Sequence, residues 1–393
     1  MRILTISSLY PNAVQPHHGI FVENRLRHIQ SLGGVEFRVV APVPWFPSGS
    51  SIFGRYGVMA RVAAQETRHG IVVDHPRYPV IPKIGMTFAP ELMYRWLRPI
   101  VGRLLAEAPG FDLIDAHYFY PDGVAAAKLA REFRRPLVIT ARGVDINRIP
   151  DFRWPRRMIL QAADQAAALI TVSRSLKQAM VELGIDASKI EALRNGVDLE
   201  MFRPIDGRGF RDAWGLDAPL LISVGHLIPR KGHAQVIRAL RDLPEASLAI
   251  IGTGPDEAML RALVEQLGLG ERVRFIGAVP HEELAQAFAA ADVMVLASSS
   301  EGWANVLLES LACGTPVVAT ARGGTPEVIT VPEAGRLIEG PDPEAIARAV
   351  RDVLAAVPDR GAVRRYAEGF GWQDTARRQR DLYRSVCPAS GAR

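Results

Sequence analysis

Strand-like runs alternate with helical ones along the whole chain, and no other feature restricts the fold as strongly. In the first half, RILTIS (2–7), EFRVVAP (36–42), DLIDAH (112–117), PLVITA (136–141) and ALITVS (168–173) read as strands. In the second half, PLLISVG (219–225), SLAIIG (247–252), RVRFIG (272–277), DVMVLAS (292–298) and PVVAT (316–320) repeat the scheme. Helical patterns such as FVENRLRHIQSL (21–32) and VAAAKLAREF (124–133) stand between them. The strands are near-continuous apolar runs, the pattern expected where helices cover both faces of a sheet. Alternation of this kind over 393 residues predicts an α/β chain with two doubly wound parallel sheets. NGVDLEMFRP (195–204), with its Gly, Asp and Pro, reads as the link. Domains are therefore expected over 1–200 and 201–371. Residues 54–110 show no clear pattern, and neither a short repeat nor a low-complexity segment is present.

In open parallel sheets, ligands bind beyond the carboxyl ends of the strands. Several residues that are poor choices for a core fall at such ends. His117 closes one run, Arg142-Gly143 follow a second, and Gly225-His226 a third. Gly252-Thr253-Gly254 follow a fourth, and Glu301 a fifth. Their shared position says more than any one of them. Two such domains can present their strand ends to each other across a cleft.

The stretch SSSEGWANVLLESLACGTPVVAT (298–320) carries two glutamates in a segment otherwise bound for a core. Asn305 is expected to cap a helix over Val306–Ala312, which Gly314 and Pro316 end. Glu301 then lies in a loop, and Glu309 one turn into the helix. The first turn of a helix has free N–H groups that bind anions. Acceptors on both sides of such a start suit a ligand with hydroxyls at each end and phosphate between, as in a nucleoside diphosphate sugar. A solvated loop glutamate beside a capping glutamate fits the spacing equally well.

GHLIPRKG (225–232) places Arg230 and Lys231 where a helix is expected to open. A cation there opposes the helix dipole, so an anion is the better explanation for it. IGTGPDEAM (251–259) departs from the dinucleotide fingerprint at Glu257, so Gly252 and Gly254 indicate a tight turn with close backbone approach. HHGIFVENR (17–25) sets Gly19 between the first strand and its helix. His117 is either a site residue or a packed histidine. No Asp-x-Asp pair and no His/Cys/carboxylate cluster has metal-ligand spacing. Lys231, nearby arginines and the helix start would then have to neutralise a departing diphosphate without a metal.

The net charge of +5 is unevenly spread. Residues 1–200 hold 25 Lys and Arg against 18 Asp and Glu, and the remainder 22 against 24. REFRR (131–135) and FRWPRRM (152–158) suit an anionic acceptor, an anionic membrane surface, or simply a solvated arginine-rich face. No motif for nucleic acid accompanies the charge. RWLRPIVGRLLAE (95–107), taken as a helix, puts Trp96, Ile100 and Leu104 on one side, as in a membrane-surface helix or a core helix. No apolar run reaches about 18 residues, so no spanning helix is expected. Two cysteines supply no disulfide framework, and MRILTISSLYP lacks a signal-peptide core. A cytoplasmic protein is expected, in peripheral contact with the inner face of the membrane if the basic half docks there.

Five segments together resemble glycosyltransferase family 4, the retaining nucleotide-sugar enzymes of GT-B fold. They are Glu301 to Glu309, GHLIPRKG, IGTGP, RNGVD (194–198) and the closing FGWQDTARRQRDLYRSV (370–386). The resemblance implies that Glu301 contacts donor sugar hydroxyls and that Glu309 binds the ribose. It implies that N–H groups from Gly302 through Asn305, Val306 and Leu307 hold sugar and diphosphate. Lys231 would bind the diphosphate, Gly19 would approach it, and the backbone at Val279 would line the base pocket. The final helix, 372–393, would complete the first domain. His226 stands where the family commonly has arginine, so either Arg230 compensates or His226 makes donor binding pH-dependent. Arg142 stands where the family commonly has histidine, whose implied contact with the donor sugar does not carry over, and some relatives have arginine there. The implied activity is metal-independent transfer from a nucleoside diphosphate sugar, uridine favoured over guanine, with no cofactor. The acceptor would be a lipid-linked or anionic glycan precursor. An epimerase or phosphorylase of the same fold is an alternative, and a phosphorylase would carry coloured pyridoxal phosphate. A catalytically silent nucleotide-binding scaffold is another, and would turn over no donor.

Overall fold

The computed structural model describes residues 1–45, 48, 50, 55–80, 85–216, 219–356 and 358–387. The chain divides into two compact units, residues 1–195 with 373–393, and residues 196–372.

Unit 1 contains β1 (Arg2–Ile6), β2 (Glu36–Val40), β3 (Val43–Pro44), β4 (Gln65–Arg68), β5 (Ile71–Asp74), β6 (Arg77–Tyr78), β7 (Leu113–His117), β8 (Leu137–Ala141), β9 (Ala168–Thr171) and β10 (Ile190–Ala192). Eight of them form one sheet in the order β10-β9-β8-β7-β1-β2-β5-β4, and β3 pairs with β6 alone. All pairings in the large sheet are parallel except β4 with β5, an antiparallel edge. Its core packs Ile3, Leu26, Val39, Leu113, Val138 and Ile170 with Ala376 and Tyr383 of the Trp372–Val386 helix. Each fully buried aliphatic side chain of this kind contributes roughly 1.5–3 kcal/mol.

Unit 2 contains β11 (Leu220–Val224), β12 (Ser247–Ile251), β13 (Val273–Gly277), β14 (Val293–Leu296), β15 (Val317–Thr320) and β16 (Gly335–Ile338). Its sheet is wholly parallel, in the order β13-β12-β11-β14-β15-β16. The order reverses between β11 and β14 here, and between β1 and β7 in unit 1. Each reversal opens a crevice at the carboxyl ends of the strands, because successive crossovers leave in opposite directions.

The units divide between Asn195 and Gly196, inside the segment read as the link, and the link is packed. Val197 bridges Gly371, Phe202 is buried, and a Cβ on Gly196 would lie 2.6 Å from Trp372 Cα. The Ala89–Ala106 helix buries Met93, Leu97, Val101 and Leu104, so its apolar stripe belongs to the core. Trp96, 47% exposed, lies off that stripe. Residues 65–74 form the β4–β5 hairpin, turning through His69 and Gly70 at positive φ. Among the described residues, no helix is long and apolar enough to cross a membrane.

Candidate functional site

The reversal in unit 2 is where chemistry-bearing side chains collect. The loop after β11 carries Arg230 and Lys231, and the loop after β14 carries Glu301. Lys231 Nζ lies 2.6 Å from Glu301 Oε1, with the side chains 16% and 8% exposed. Arg230 Nη1 is 3.8 Å from the same oxygen and donates to Ser300 O at 2.8 Å. The Ser299 N–H donates to Arg230 O at 2.9 Å, so the two loops are also joined by backbone. Lys231 does not open a helix as the sequence suggests. It ends a 3-10 turn, Pro229–Lys231, two residues before the His233–Ala239 helix.

Glycines permit this loop contact. A Cβ on Gly252 would lie 2.0 Å from Gly225 O, one on Gly254 2.3 Å from Leu227 O, and one on Gly232 2.0 Å from Ala297 O. Each obstacle is backbone and cannot rotate away. Gly252 and Gly254 thus seat the loop that holds Lys231, whose stem lies over Gly225. His226, on the same loop, is exposed.

The next helix runs from Asn305 to Ala312 with Ala304 as its cap residue and no side-chain cap bond. Asn305 therefore begins the helix instead of capping it. Leu307 departs from expectation too: its N–H donates to Ala304 O at 3.1 Å and its side chain is fully buried. Gly302, Asn305 and Val306 are half-buried at the helix entry, and Val279 is half-buried after β13. Glu309 Oε1 is 3.1 Å from His281 Nε2. Burial opposes charge on His281, yet the Glu309 hydrogen bond and carboxylate outweigh it and raise the imidazole pKa. The sequence reading missed His281, because its link to Glu309 spans 28 residues. It also missed Trp303, which lies between the two glutamates in sequence and is buried, and whose indole N–H has no hydrogen-bond partner among the described residues.

In unit 1 the side chains at the strand ends form a ring. His117 Nε2 lies 2.8 Å from Asp115 Oδ2, and its Nδ1 meets Arg142 Nη2. A guanidinium only donates, so Nδ1 must accept and the proton sits on Nε2. Burial pushes the imidazole pKa down to about 4, aided by Arg142 against the pull of Asp115. Arg142 Nη1 donates to Asn195 Oδ1 at 3.1 Å, and Arg25 Nη2 donates to the same oxygen at 3.1 Å. Arg25 Nη1 reaches Gln379 Oε1 at 2.7 Å. Gln379 in turn donates to Tyr383, whose hydroxyl neighbours Asp115 and closes the ring.

Arg25, Asp115, His117, Gln379 and Tyr383 have no exposed surface. Arg142 is half-buried, and its Nε has no hydrogen-bond partner among the described residues. His117 is therefore a packed histidine: Nδ1 is bonded to Arg142, and Nε2 lies beside Asp115 without an aligned hydrogen bond among the described residues. It offers no surface to a ligand, and bears on the site through Arg142. The Arg142 guanidinium stands 5.0 Å from the Phe21 ring in the first turn of the Ile20–Ser31 helix. Gly19 caps that helix at φ 71°, and a Cβ there would lie 2.3 Å from the Leu9 carbonyl. Among the described residues, no three His, Cys, Asp or Glu side chains group as a metal site.

Two doubly wound α/β units, with cations and carboxylates at the order reversal of the second, define the class: a GT-B glycosyltransferase fold. Residues 26–201 match the Glycosyltransferase Family 4 domain, and residues 210–370 the Glycosyl transferases group 1 domain. A putative teichuronic acid biosynthesis glycosyltransferase of Bacillus subtilis is 30% identical over 82% of this chain and 82% of its own. The fold is shared with a sucrose-phosphate synthase from Thermosynechococcus elongatus, at 21% identity and TM-score 0.80 over 98% of this chain and 99% of that one. It is shared also with an Anabaena protein solved in complex with UDP-glucose, at 22% identity and TM-score 0.73 over 98% and 100%. The chain belongs to glycosyltransferase family 4.

Proposed function

We propose that this chain is a retaining hexosyltransferase that moves a sugar from a nucleoside diphosphate sugar to a glycan acceptor without a metal. The observation that carries the reading is the Lys231–Glu301 pair at the order reversal of unit 2, with Glu309 on the helix that follows. In this reading Lys231 and Arg230 meet the diphosphate, and Glu301 accepts from sugar hydroxyls. Glu309, held by His281, accepts from the ribose. Backbone N–H groups at Gly302, Asn305 and Val306 face the phosphates, and the Val279 backbone lines the base. Within unit 1, Arg142 is the charged group at a strand end, and Gly19 shapes the helix start beside it.

The acceptor hydroxyl attacks on the face the diphosphate leaves, and the departing phosphate oxygen takes its proton. Both substrates must then be held in register and the negative charge met by fixed cations, which is how such a site lowers the barrier. A uridine base is favoured, supported by the UDP-glucose complex of the Anabaena neighbour. An anionic or lipid-linked acceptor is supported by the teichuronic acid relative and by the excess of arginine in residues 1–200.

A thermal-shift panel of UDP, GDP, ADP and their sugars, run in EDTA, tests the reading. One nucleotide at about 100 times its Kd should add about 2.7 kcal/mol of stability. No stabilisation by any of them would end the proposal. Turnover lost in EDTA and restored by magnesium or manganese would remove its metal-free part.

A further inference from the structure

The Arg153–Gln165 helix buries Pro155, Ile159, Ala162 and Ala163 against unit 1, so its core-facing side is satisfied. Its opposite side begins in an unusual way. Phe152 and Trp154 are 53% and 55% exposed, and Arg153, Arg156 and Arg157 are exposed around them. The helix has no side-chain cap bond and no acidic residue in its first turn. Cations there face the positive end of the helix dipole, an arrangement that costs stability unless an anion is present. None of the three arginines has a carboxylate partner among the described residues, and Arg153 lies 5.9 Å from the Trp154 ring. The Gly85–Phe88 turn packs against this helix and adds Phe88, 61% exposed, from a segment 64 residues away in sequence from Phe152. Asp151 is the one carboxylate between residues 146 and 163.

From this we infer that the face formed by Phe88, Phe152, Trp154, Arg153, Arg156 and Arg157 docks unit 1 on a bilayer surface carrying anionic lipid. Aromatic rings beside arginines match the headgroup level, where ring bodies enter the acyl boundary and guanidiniums stay with the phosphates. The face lies at a helix end with its three rings about half exposed, which suits contact with a broad surface. It differs from the apolar stripe of the Ala89–Ala106 helix, which the core consumes. The inference is independent of the proposed donor chemistry.

The experiment is flotation of the purified chain with vesicles of phosphatidylcholine alone, or with about a third phosphatidylglycerol. Wild type should bind only the anionic vesicles and release as salt rises. Arg156→Gln with Arg157→Gln should lower the low-salt partition roughly 20- to 30-fold, from about fivefold per charge near such a surface. Phe152→Ser with Trp154→Ser should abolish binding at intermediate salt, with unchanged circular dichroism. Brominated lipid should quench wild-type emission more than that of Trp154→Phe. Binding to neutral vesicles as tight as to anionic ones would overturn the inference, as would no binding at all. So would variants that bind like wild type, or equal affinity for duplex DNA or a soluble polyanion without bromine quenching.

Discussion

Lys231→Met separates the two things the Lys231–Glu301 pair can do. The substitution keeps the stem over Gly225 and removes the charge 2.6 Å from Glu301 Oε1. Breaking a fully buried ion pair by removing one partner costs about 3–5 kcal/mol. Here the lysine is 16% exposed and Arg230 stands 3.8 Å away, so a loss of about 2 kcal/mol is expected. That corresponds to roughly 4–8 °C in Tm for a unit of this size. Nucleotide binding should fall independently, by about 10- to 100-fold, from loss of a charge-assisted contact worth about 1.5–3 kcal/mol. The double variant Lys231→Met with Glu301→Gln removes both charges, so it should regain most of the stability and none of the affinity. Urea melts give the first quantity, and calorimetric titrations with UDP, GDP and ADP the second. If the double variant recovers nucleotide affinity, Lys231 is only the counter-ion of Glu301. If Lys231→Met leaves the melts unchanged, the pair is not formed in solution.

Gly254→Ala should weaken nucleotide binding at least tenfold while leaving the far-ultraviolet spectrum intact, because its Cβ would meet Leu227 O at 2.3 Å and shift the Lys231 loop. Gly268→Ala, at φ 67° in open space, is the comparison and should cost only about 1 kcal/mol of stability. Equal binding by both variants would dismiss the loop argument. Glu309→Gln should weaken nucleotide and nucleotide sugar alike. Glu301→Gln, by releasing Lys231, should spare the nucleotide and damage sugar turnover; titrations of both ligands against each variant decide. His233, buried against Ser223, has its pKa pushed down to about 4 by burial and then by the Lys231 charge. The unfolded chain therefore takes up the proton first as pH falls below about 6.5, and stability drops toward pH 4. His233→Gln should remove about 2–3 kcal/mol of that drop between pH 7.5 and 4.5, read from urea melts at the two values. Parallel melts would contradict it.

Ten strands were legible because their runs are largely apolar, with only single charged residues such as Arg38, Asp115 and Arg274 inside them. β4, as QETR, was not: an edge strand keeps one face in water and carries charge in place of an apolar run. β16, as GRLI, is short and half exposed for a similar reason. The crowding of special residues at strand ends was visible as well, since it follows from topology alone. What those residues touch was not. Asn195 links Arg25 and Arg142 across separations of 170 and 53 residues, and no local pattern in RNGVD announces it. The lone histidines were ambiguous for the same reason. His117 and His281 look alike in sequence, yet one is sealed in a ring and the other holds Glu309 near the surface.

The two sites are held rigid by different means, and this bears on how each tolerates change. In unit 2 the loops press together backbone on backbone at Gly232, Gly252 and Gly254, so the positions of Lys231 and Glu301 depend on residues with no side chain. Surface substitutions there leave the geometry alone, and any Cβ at those glycines disturbs it. In unit 1 the cation is set by side chains. Arg142 takes its orientation from His117 and Asn195, and Asn195 is shared with Arg25, which is held by Gln379 of the terminal helix. A guanidinium with two of its five N–H groups fixed keeps its plane and still has donors for a ligand. An imidazole in its place could not satisfy His117 and Asn195 and keep a donor outward, because it has two nitrogens. The ring therefore gives a physical reason for arginine at position 142. It also makes the Trp372–Val386 helix part of the support for that cation, beyond its packing on the core.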